Sequence, residues 1–167
     1  MSWRNPAYDC HFRHNAHNLP SQNRPTGLAR KLFGGVQIPK GVFAELTGNP
    51  RFKTEADAVQ KSAFIQVVSE IDEDYVSLLR RSAGLDLGES EAIYLSDSGK
   101  ADLLLMDEAR GREVAMRMGI RVMGTIGILT LAHEDGLMSK EEIRSAIEVL
   151  RDSGRHISEG FMSSYSG

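Results

Sequence analysis

Apolar residues recur with a helical period through most of the chain after Gly27. The first helix is predicted to end at Gly34-Gly35, because glycine commonly terminates helices. Its apolar face consists of Leu28, Ala29, Leu32 and Phe33. Further helices are predicted at Pro39–Gly48, Thr54–Ser62, Asp72–Leu79, Gly88–Ser98, Glu108–Met118 and Thr125–His133. Another helix should follow the capping box Ser139-Lys-Glu-Glu142. A last short helix is predicted to begin at Ser158.

Short strands are predicted between these helices at Val36–Ile38, Phe64–Val68, Leu103–Met106 and Ile120–Val122. Phe64–Val68 is rich in β-branched residues, which favour strands. Leu103–Met106 shows no alternation of polar and apolar residues, which is typical of a strand that is covered on both faces. Strands that alternate with helices predict an α/β fold, in which helices cover both faces of a short parallel sheet.

Residues 1–26 follow neither period and are rich in asparagine, proline and histidine. We interpret them as a divergent, poorly ordered segment that precedes a domain spanning residues 27–167. A metal cluster is the alternative, since cysteine and histidine are good zinc ligands. Its members would be Cys10, His11, His14 and His17, but no second ligand group with finger-like spacing follows them.

The composition is that of a water-soluble domain, with 41% hydrophobic and 26% charged residues among 167. The formal net charge of −3 argues against binding nucleic acid through bulk charge. No apolar run approaches the ~20 residues that a membrane-spanning helix needs, so no membrane contact is expected. The single cysteine, Cys10, favours a cytoplasmic location.

Acidic residues stand where the predicted strands end and the next helices begin. Glu45 follows the strand Val36–Ile38, Glu89 and Glu91 open a helix, and Asp107 follows an apolar strand. Because sites in parallel sheets gather at the carboxyl ends of the strands, these carboxylates are expected to share one edge. Crowded carboxylates favour a hard cation, Mg²⁺ or Mn²⁺, which can activate water for attack on a phosphodiester.

Groups that could hold phosphate lie nearby in the sequence. Arg110 and Arg112 carry guanidinium groups that match phosphate oxygens, and the helix that opens at Thr125 offers free N–H groups. Each group also has an ordinary interpretation. The glutamates could be solvated or could complement a helix dipole, Asp107 could cap the next helix, and both arginines could lie on a charged surface.

Five stretches of the chain form an ordered set of motifs: Ile38–Leu46, Leu87–Ile93, Leu104–Glu108, Arg110–Ala115 and Val122–Leu129. They resemble the PIN-domain nucleases, most closely a prokaryotic branch of predicted nucleic-acid-binding proteins related to VapC-type toxin ribonucleases. The resemblance covers about residues 28–161.

The resemblance implies an α/β/α sandwich and a Mg²⁺- or Mn²⁺-dependent ribonuclease, often paired with a small antitoxin protein. By motif position, Glu45, Asp107 and Glu91 or Glu89 would be the metal-binding acids. Glu108 stands where the branch often has a second aspartate. The helices near the carboxyl terminus could also pair two copies of the chain.

One feature departs from this family, whose first strand is apolar and ends in an aspartate. Here that region reads His11-Phe-Arg-His-Asn-Ala-His-Asn-Leu-Pro20, and the nearby Asp9 lies in no strand-like context. The first strand and its acid are therefore predicted to be missing. This departure keeps open a second interpretation, a catalytically impaired module that binds RNA or a protein. A phosphoacceptor receiver domain is a weaker alternative, because the acidic pair and the lysine typical of those domains are absent.

Overall fold

The computed structural model describes residues 7–8, 25–48, 57 and 59–152. Five strands are described: β1 (Ala7–Tyr8), β2 (Val36–Pro39), β3 (Ile65–Val68), β4 (Leu104–Leu105) and β5 (Val122–Met123). The helices are α1 (Pro25–Phe33), α2 (Lys40–Gly48), α3 (Glu73–Ala83), α4 (Leu87–Asp97), α5 (Ala109–Arg117), α6 (Thr125–Glu134) and α7 (Lys140–Asp152). Asp57, Val59 and Gln60 are also helical.

The strands form one parallel sheet in the order β3-β2-β1-β4-β5. The register places Ala7 beside Gln37 on one side and beside Leu104 on the other. All five strands therefore end at the same edge of the sheet, and β2 and β4 flank the end of β1. The predicted parallel sheet is confirmed.

The prediction that the first strand is missing is wrong, because Ala7–Tyr8 is the central strand of the sheet. Its neighbours are buried strands on both sides, which supply its backbone partners. Two residues are too few to show a period of apolar positions, so the sequence pattern could not reveal the strand. The other residues from 1 to 24, including Cys10 and the three predicted histidine ligands, lie outside the described residues.

The core is divided by the sheet into two layers. Leu103 and Leu105 join a cluster on one face with residues of α1, α6 and α7. Leu104 and Met106 join a cluster on the other face with residues of α4 and α5. Successive side chains of a strand point to opposite faces, so the run Leu103–Met106 supplies both layers. This arrangement is the three-layer α/β/α sandwich that was predicted.

Local capping explains where three helices begin. The Asp72 side chain accepts a hydrogen bond from the Tyr75 N–H at the start of α3. Asp86 and Glu89 form a reciprocal capping box at the start of α4. Ser139 and Glu142 do the same before α7, as predicted. A capping residue is worth about 1 kcal/mol, because it satisfies N–H groups that have no partner within the helix.

Some predicted boundaries are shifted. Pro39 ends β2 rather than opening α2, and β5 is Val122–Met123 rather than Ile120–Val122. Thr125 is the first residue of α6, and Gly124 is its N-cap. The predicted helix at Thr54–Ser62 is described only at Asp57, Val59 and Gln60, and the helix predicted from Ser158 lies outside the described residues. Within the described part of the chain, no helix is both long and apolar enough to cross a membrane.

Candidate active site

The carboxyl edge of the sheet brings two groups of predicted site residues to either side of β1. Gly41 lies in the first turn of α2, immediately after β2, and it contacts Glu91 of α4. Asp107 lies just after β4 and contacts Thr125, the first residue of α6. Because β2 and β4 both pair with β1, the two groups flank the end of the central strand.

Glu91 is a buried carboxylate with a raised pKa. Only 8% of the residue is exposed, and its Oε2 accepts a hydrogen bond of 2.8 Å from the Gly41 N–H. Burial raises the pKa of Glu91, and the Gly41 hydrogen bond opposes that rise. The negative charge of Glu45 raises the pKa further, whereas the positive charge of Lys40 lowers it. A buried carboxylate with a perturbed pKa in this position is typical of functional sites.

Glu45 itself is an exposed residue of α2. Its charge acts on Glu91, so the structure places the two predicted acids close enough to interact. Lys40 and Gly41 precede Glu45 on the same helix, and both also act on Glu91. The first two turns of α2 therefore provide a cation, an N–H donor and a carboxylate around one buried acid.

Asp107 uses both carboxylate oxygens to hold the start of α6. Its Oδ1 accepts a 2.8 Å hydrogen bond from the Thr125 N–H, and its Oδ2 accepts a short one from the Thr125 hydroxyl. Asp107 therefore holds the first residue of α6, whose N-cap is Gly124, and does not cap α5, whose N-cap is Glu108. The alternative that Asp107 caps the helix following it is wrong in this respect.

Arg112 lies beside this aspartate. Its Nη1 donates a 2.8 Å hydrogen bond to the carbonyl of Met106. A Cβ placed on Gly124 would be 2.7 Å from Asp107 Oδ1 and 2.9 Å from Arg112 Nη1. The carboxylate and the guanidinium thus crowd the same small space, and a side chain at position 124 would displace one of them.

The remaining predicted residues have other placements. Glu89 is 5% exposed, and its Oε2 accepts the Asp86 N–H within the capping box. Glu108 is exposed at the start of α5 and makes no side-chain cap there. Arg110 is exposed, and its Nε donates to the Ala83 carbonyl at the end of α3. These contacts give Glu89 and Arg110 structural roles at helix ends.

Sequence reasoning missed two glycines and one lysine. A Cβ on Gly41 would lie 2.5 Å from Glu91 Oε2, so the close approach of that carboxylate depends on the missing side chain. Gly124 has the same relation to Asp107. A glycine directly after a strand was the available signal, because it permits close approach of another group to the backbone. Lys40 follows the same strand.

The donor set consists of carboxylate oxygens, which are the ligands that Mg²⁺ and Mn²⁺ prefer. Within the described part of the chain, no three histidine, cysteine or acidic side chains come together as a set of metal ligands. Glu45 and Glu91 form a pair. Mg²⁺ is commonly held by only one or two carboxylates together with water and substrate phosphates.

Comparison with known proteins supports this assignment of the fold. No curated protein matches the chain. A family model described as a PIN domain matches residues 21–165, which include every described element except β1. PIN domains are generally nucleases and usually use divalent metals. By this match over most of its length, the chain belongs to the PIN-domain family.

Proposed function

We propose that this protein is an endoribonuclease that depends on Mg²⁺ or Mn²⁺. One observation carries the proposal: the buried Glu91 carboxylate is held at the carboxyl end of β2, beside the charge of Glu45. Crowding and burial both disfavour two negative charges there, and a divalent cation would relieve that cost. Family membership supports the nuclease chemistry.

Glu91 and Glu45 would hold the cation, and Asp107 would approach it from the end of β4. When bound, the cation supplies charge neutralisation and a more acidic water for attack on the phosphodiester. Gly41 fixes the orientation of Glu91, because its N–H occupies one carboxylate oxygen. Thr125 does the same for Asp107 through two donors. Groups held in this way need no rearrangement during reaction.

Arg112 is the group that we propose for binding the substrate phosphate. It lies beside Asp107, and its guanidinium is partly fixed by the Met106 carbonyl. Arg110 was predicted to share this role, but its Nε is engaged with Ala83. We therefore assign phosphate binding to Arg112 first. Glu89 and Glu108 stay predicted metal-binding residues of lower rank.

Asp9 is also a candidate metal-binding residue, because the next residue of the chain after β1 is Asp9. The strand β1 is the central strand and ends at Tyr8, and Asp9 itself lies outside the described residues. An aspartate directly after a central strand is the feature that the sequence analysis found missing. We propose that Asp9 is a further metal-binding acid, and Asp9→Asn should then impair cleavage as much as Glu91→Gln.

Cleavage of a labelled single-stranded RNA in Mn²⁺ tests the proposal. The wild-type protein should cut the RNA in Mn²⁺ but not in EDTA. Glu91→Gln should lose about 100-fold or more in rate, since metal stabilisation of the transition state is worth several kcal/mol. Glu148→Gln, which changes an exposed glutamate on α7, is the control and should cleave normally. Equal cleavage in EDTA would exclude a metal nuclease, and equal cleavage by Glu91→Gln would exclude the metal-binding role of Glu91.

A non-catalytic module that binds RNA or protein is the second candidate. Both oxygens of Asp107 accept hydrogen bonds from Thr125, which is a sufficient structural reason for that acid to be present. Calorimetric titration with Mg²⁺ separates the two functions. Binding at millimolar Mg²⁺ that is lost in Glu91→Gln supports the nuclease, whereas no binding by the wild type supports the module.

The toxin role, the antitoxin partner, the homodimer and the cytoplasmic location stay predictions. If the protein is a toxin ribonuclease, induced expression should arrest bacterial growth, and the Glu91→Gln variant should not. Normal growth with equal amounts of soluble wild-type protein would contradict the toxin role. Co-purification with a small basic or acidic partner from the same operon would identify the antitoxin.

A further inference from the structure

A cleft of about 450 Å³ opens next to the candidate site, between the first turn of α2, the loop after β3, one face of α3 and the start of α4. We call it the α2–α3 cleft. Its lining includes Lys40, Gly41, Glu73, Arg80, Leu87 and Glu91. Two of them, Gly41 and Glu91, form the hydrogen bond that anchors the candidate site. The cleft is therefore continuous with the proposed metal-binding acids.

The apolar part of this cleft contains an exposed large side chain. Leu87 is 38% exposed, although it opens the otherwise buried helix α4, and Val76 and Ile71 lie in the same lining. Exposing a leucine costs hydrophobic free energy that burial under a ligand would recover. Apolar surface beside convergent polar groups is the usual composition of a ligand site.

The polar part of the cleft carries both signs of charge. Lys40 and Arg80 are its cations, and Glu73 and Glu91 are its carboxylates. On α3, Glu73 and Arg80 are seven residues apart, or about 10 Å along a helix. If Glu91 holds a cation as proposed, its charge is neutralised, and the remaining charges of the cleft are net positive. A net positive charge in the cleft would favour binding of the negatively charged phosphates of a nucleic-acid strand.

We propose that the α2–α3 cleft binds one unpaired nucleotide of the RNA, next to the phosphate that is cut. This inference rests on the proposed function, because it extends the same site. The base would cover Leu87, and Arg80 would contact a neighbouring phosphate. A paired base is stacked inside a duplex and cannot enter such a cleft, so the cleft selects single strands or loops.

Binding of a short fluorescent single-stranded RNA, measured by anisotropy in Ca²⁺, tests the cleft while a divalent cation that carboxylates bind is available to neutralise Glu91. Leu87→Ala should weaken binding about fivefold, because it removes apolar contact with the base. Leu78→Ala is the matched control, since Leu78 is 59% exposed on α3 and does not line the cleft. Its affinity should equal that of the wild type.

A second pair of variants tests the phosphate contact. Arg80→Ala should lower the slope of log K against log salt concentration by about one unit, as expected for the loss of one phosphate contact. Arg81→Ala removes the same charge from the next residue of α3, which does not line the cleft, and should leave the slope unchanged. A merely structural role of Arg80 would not alter the salt slope.

The outcomes separate this inference from the proposed function. If the wild type cleaves RNA in Mn²⁺, and Leu87→Ala and Arg80→Ala bind RNA as tightly as the wild type, RNA binding in the α2–α3 cleft is refuted. The proposed nuclease function then stands. If both variants bind RNA more weakly and the wild type does not cleave it, RNA binding in the α2–α3 cleft is supported and the proposed nuclease function is excluded. If the wild type binds the same RNA equally well as a single strand and in a duplex, the binding of an unpaired nucleotide in the cleft is also refuted.

Discussion

Replacing Glu91 by glutamine should stabilise the protein while it removes activity. The glutamine amide oxygen can still accept the Gly41 N–H, so the hydrogen bond at 2.8 Å is kept. What disappears is a buried negative charge near that of Glu45. Replacing a destabilising buried charge of a functional site commonly adds about 0.5–2 kcal/mol to the free energy of unfolding. For a domain of this size that corresponds to a rise in Tm of roughly 1–8 °C.

The effect should depend on pH with a definite sign. Burial raises the pKa of Glu91, so the folded state favours the protonated carboxyl. The stabilisation by that proton is complete below the ordinary glutamate pKa and is lost as the pH rises through the raised pKa of the folded state. The wild type and Glu91→Gln should therefore have similar Tm values in acid, and the variant should gain its advantage towards neutral pH.

Thermal unfolding followed by circular dichroism between about pH 4 and pH 8 measures this difference. Glu148→Gln controls for the loss of one exposed carboxylate and should stay within about 0.5 kcal/mol of the wild type. Asp107→Asn should behave oppositely and lower the Tm, because asparagine cannot accept both hydrogen bonds from Thr125. A Glu91→Gln variant that is less stable at neutral pH, or whose advantage is independent of pH, would refute the reasoning.

Three further substitutions and one control test other contacts. Gly111→Ala should destabilise the protein by about 1 kcal/mol in urea unfolding, because its Cβ would lie 2.4 Å from a buried methionine sulfur; Gly48→Ala meets no atom within 4 Å and should not destabilise it. Tyr75→Phe should cost about 1 kcal/mol below pH 10 through loss of the 2.6 Å bond to α4. That cost should shrink towards pH 12, because the same bond and burial raise the pKa of Tyr75 to about 12. Arg110→Ala should lower stability and leave the KM for RNA unchanged; an increased KM would restore its predicted phosphate role.

Much of the fold could be predicted because its elements carry their own signals. The capping residues Asp72 and Ser139 and the terminating Gly34 mark helix ends, and all three act as predicted. The run Leu103–Met106 is apolar throughout, and the structure confirms that it serves two core layers. Each of these signals depends on residues that are close together in the sequence.

The central strand could not be predicted, because Ala7–Tyr8 depends on its neighbours. Its hydrogen-bond partners are β2 and β4, which lie about 30 and 100 residues further along the chain. The strand β4 is equally short, but it lies inside a longer apolar run that reveals it. A two-residue strand without such a run has no periodic signal.

Candidate site residues could be named from the sequence, but their contacts could not. Glu89 and Glu91 could not be distinguished from the sequence, whereas the structure places Glu89 in a capping box with Asp86 and Glu91 beside Gly41. The contact between Glu91 and Gly41 joins residues 50 positions apart, so only the fold could show it. The bond between Asp107 and Thr125 likewise connects two separate helix starts.

A crystal structure of the full chain with Mn²⁺, using the anomalous signal of the metal, tests the central claim most directly. If the protein is the proposed metal nuclease, one strong anomalous peak should lie at the carboxyl ends of β2, β1 and β4, and Glu91 should be among the ligands of that metal ion. The same crystals would show whether Asp9 and Asp107 join it. An absence of any peak beside Glu91 at millimolar Mn²⁺, with the fold intact, would contradict a metal nuclease built on these acids.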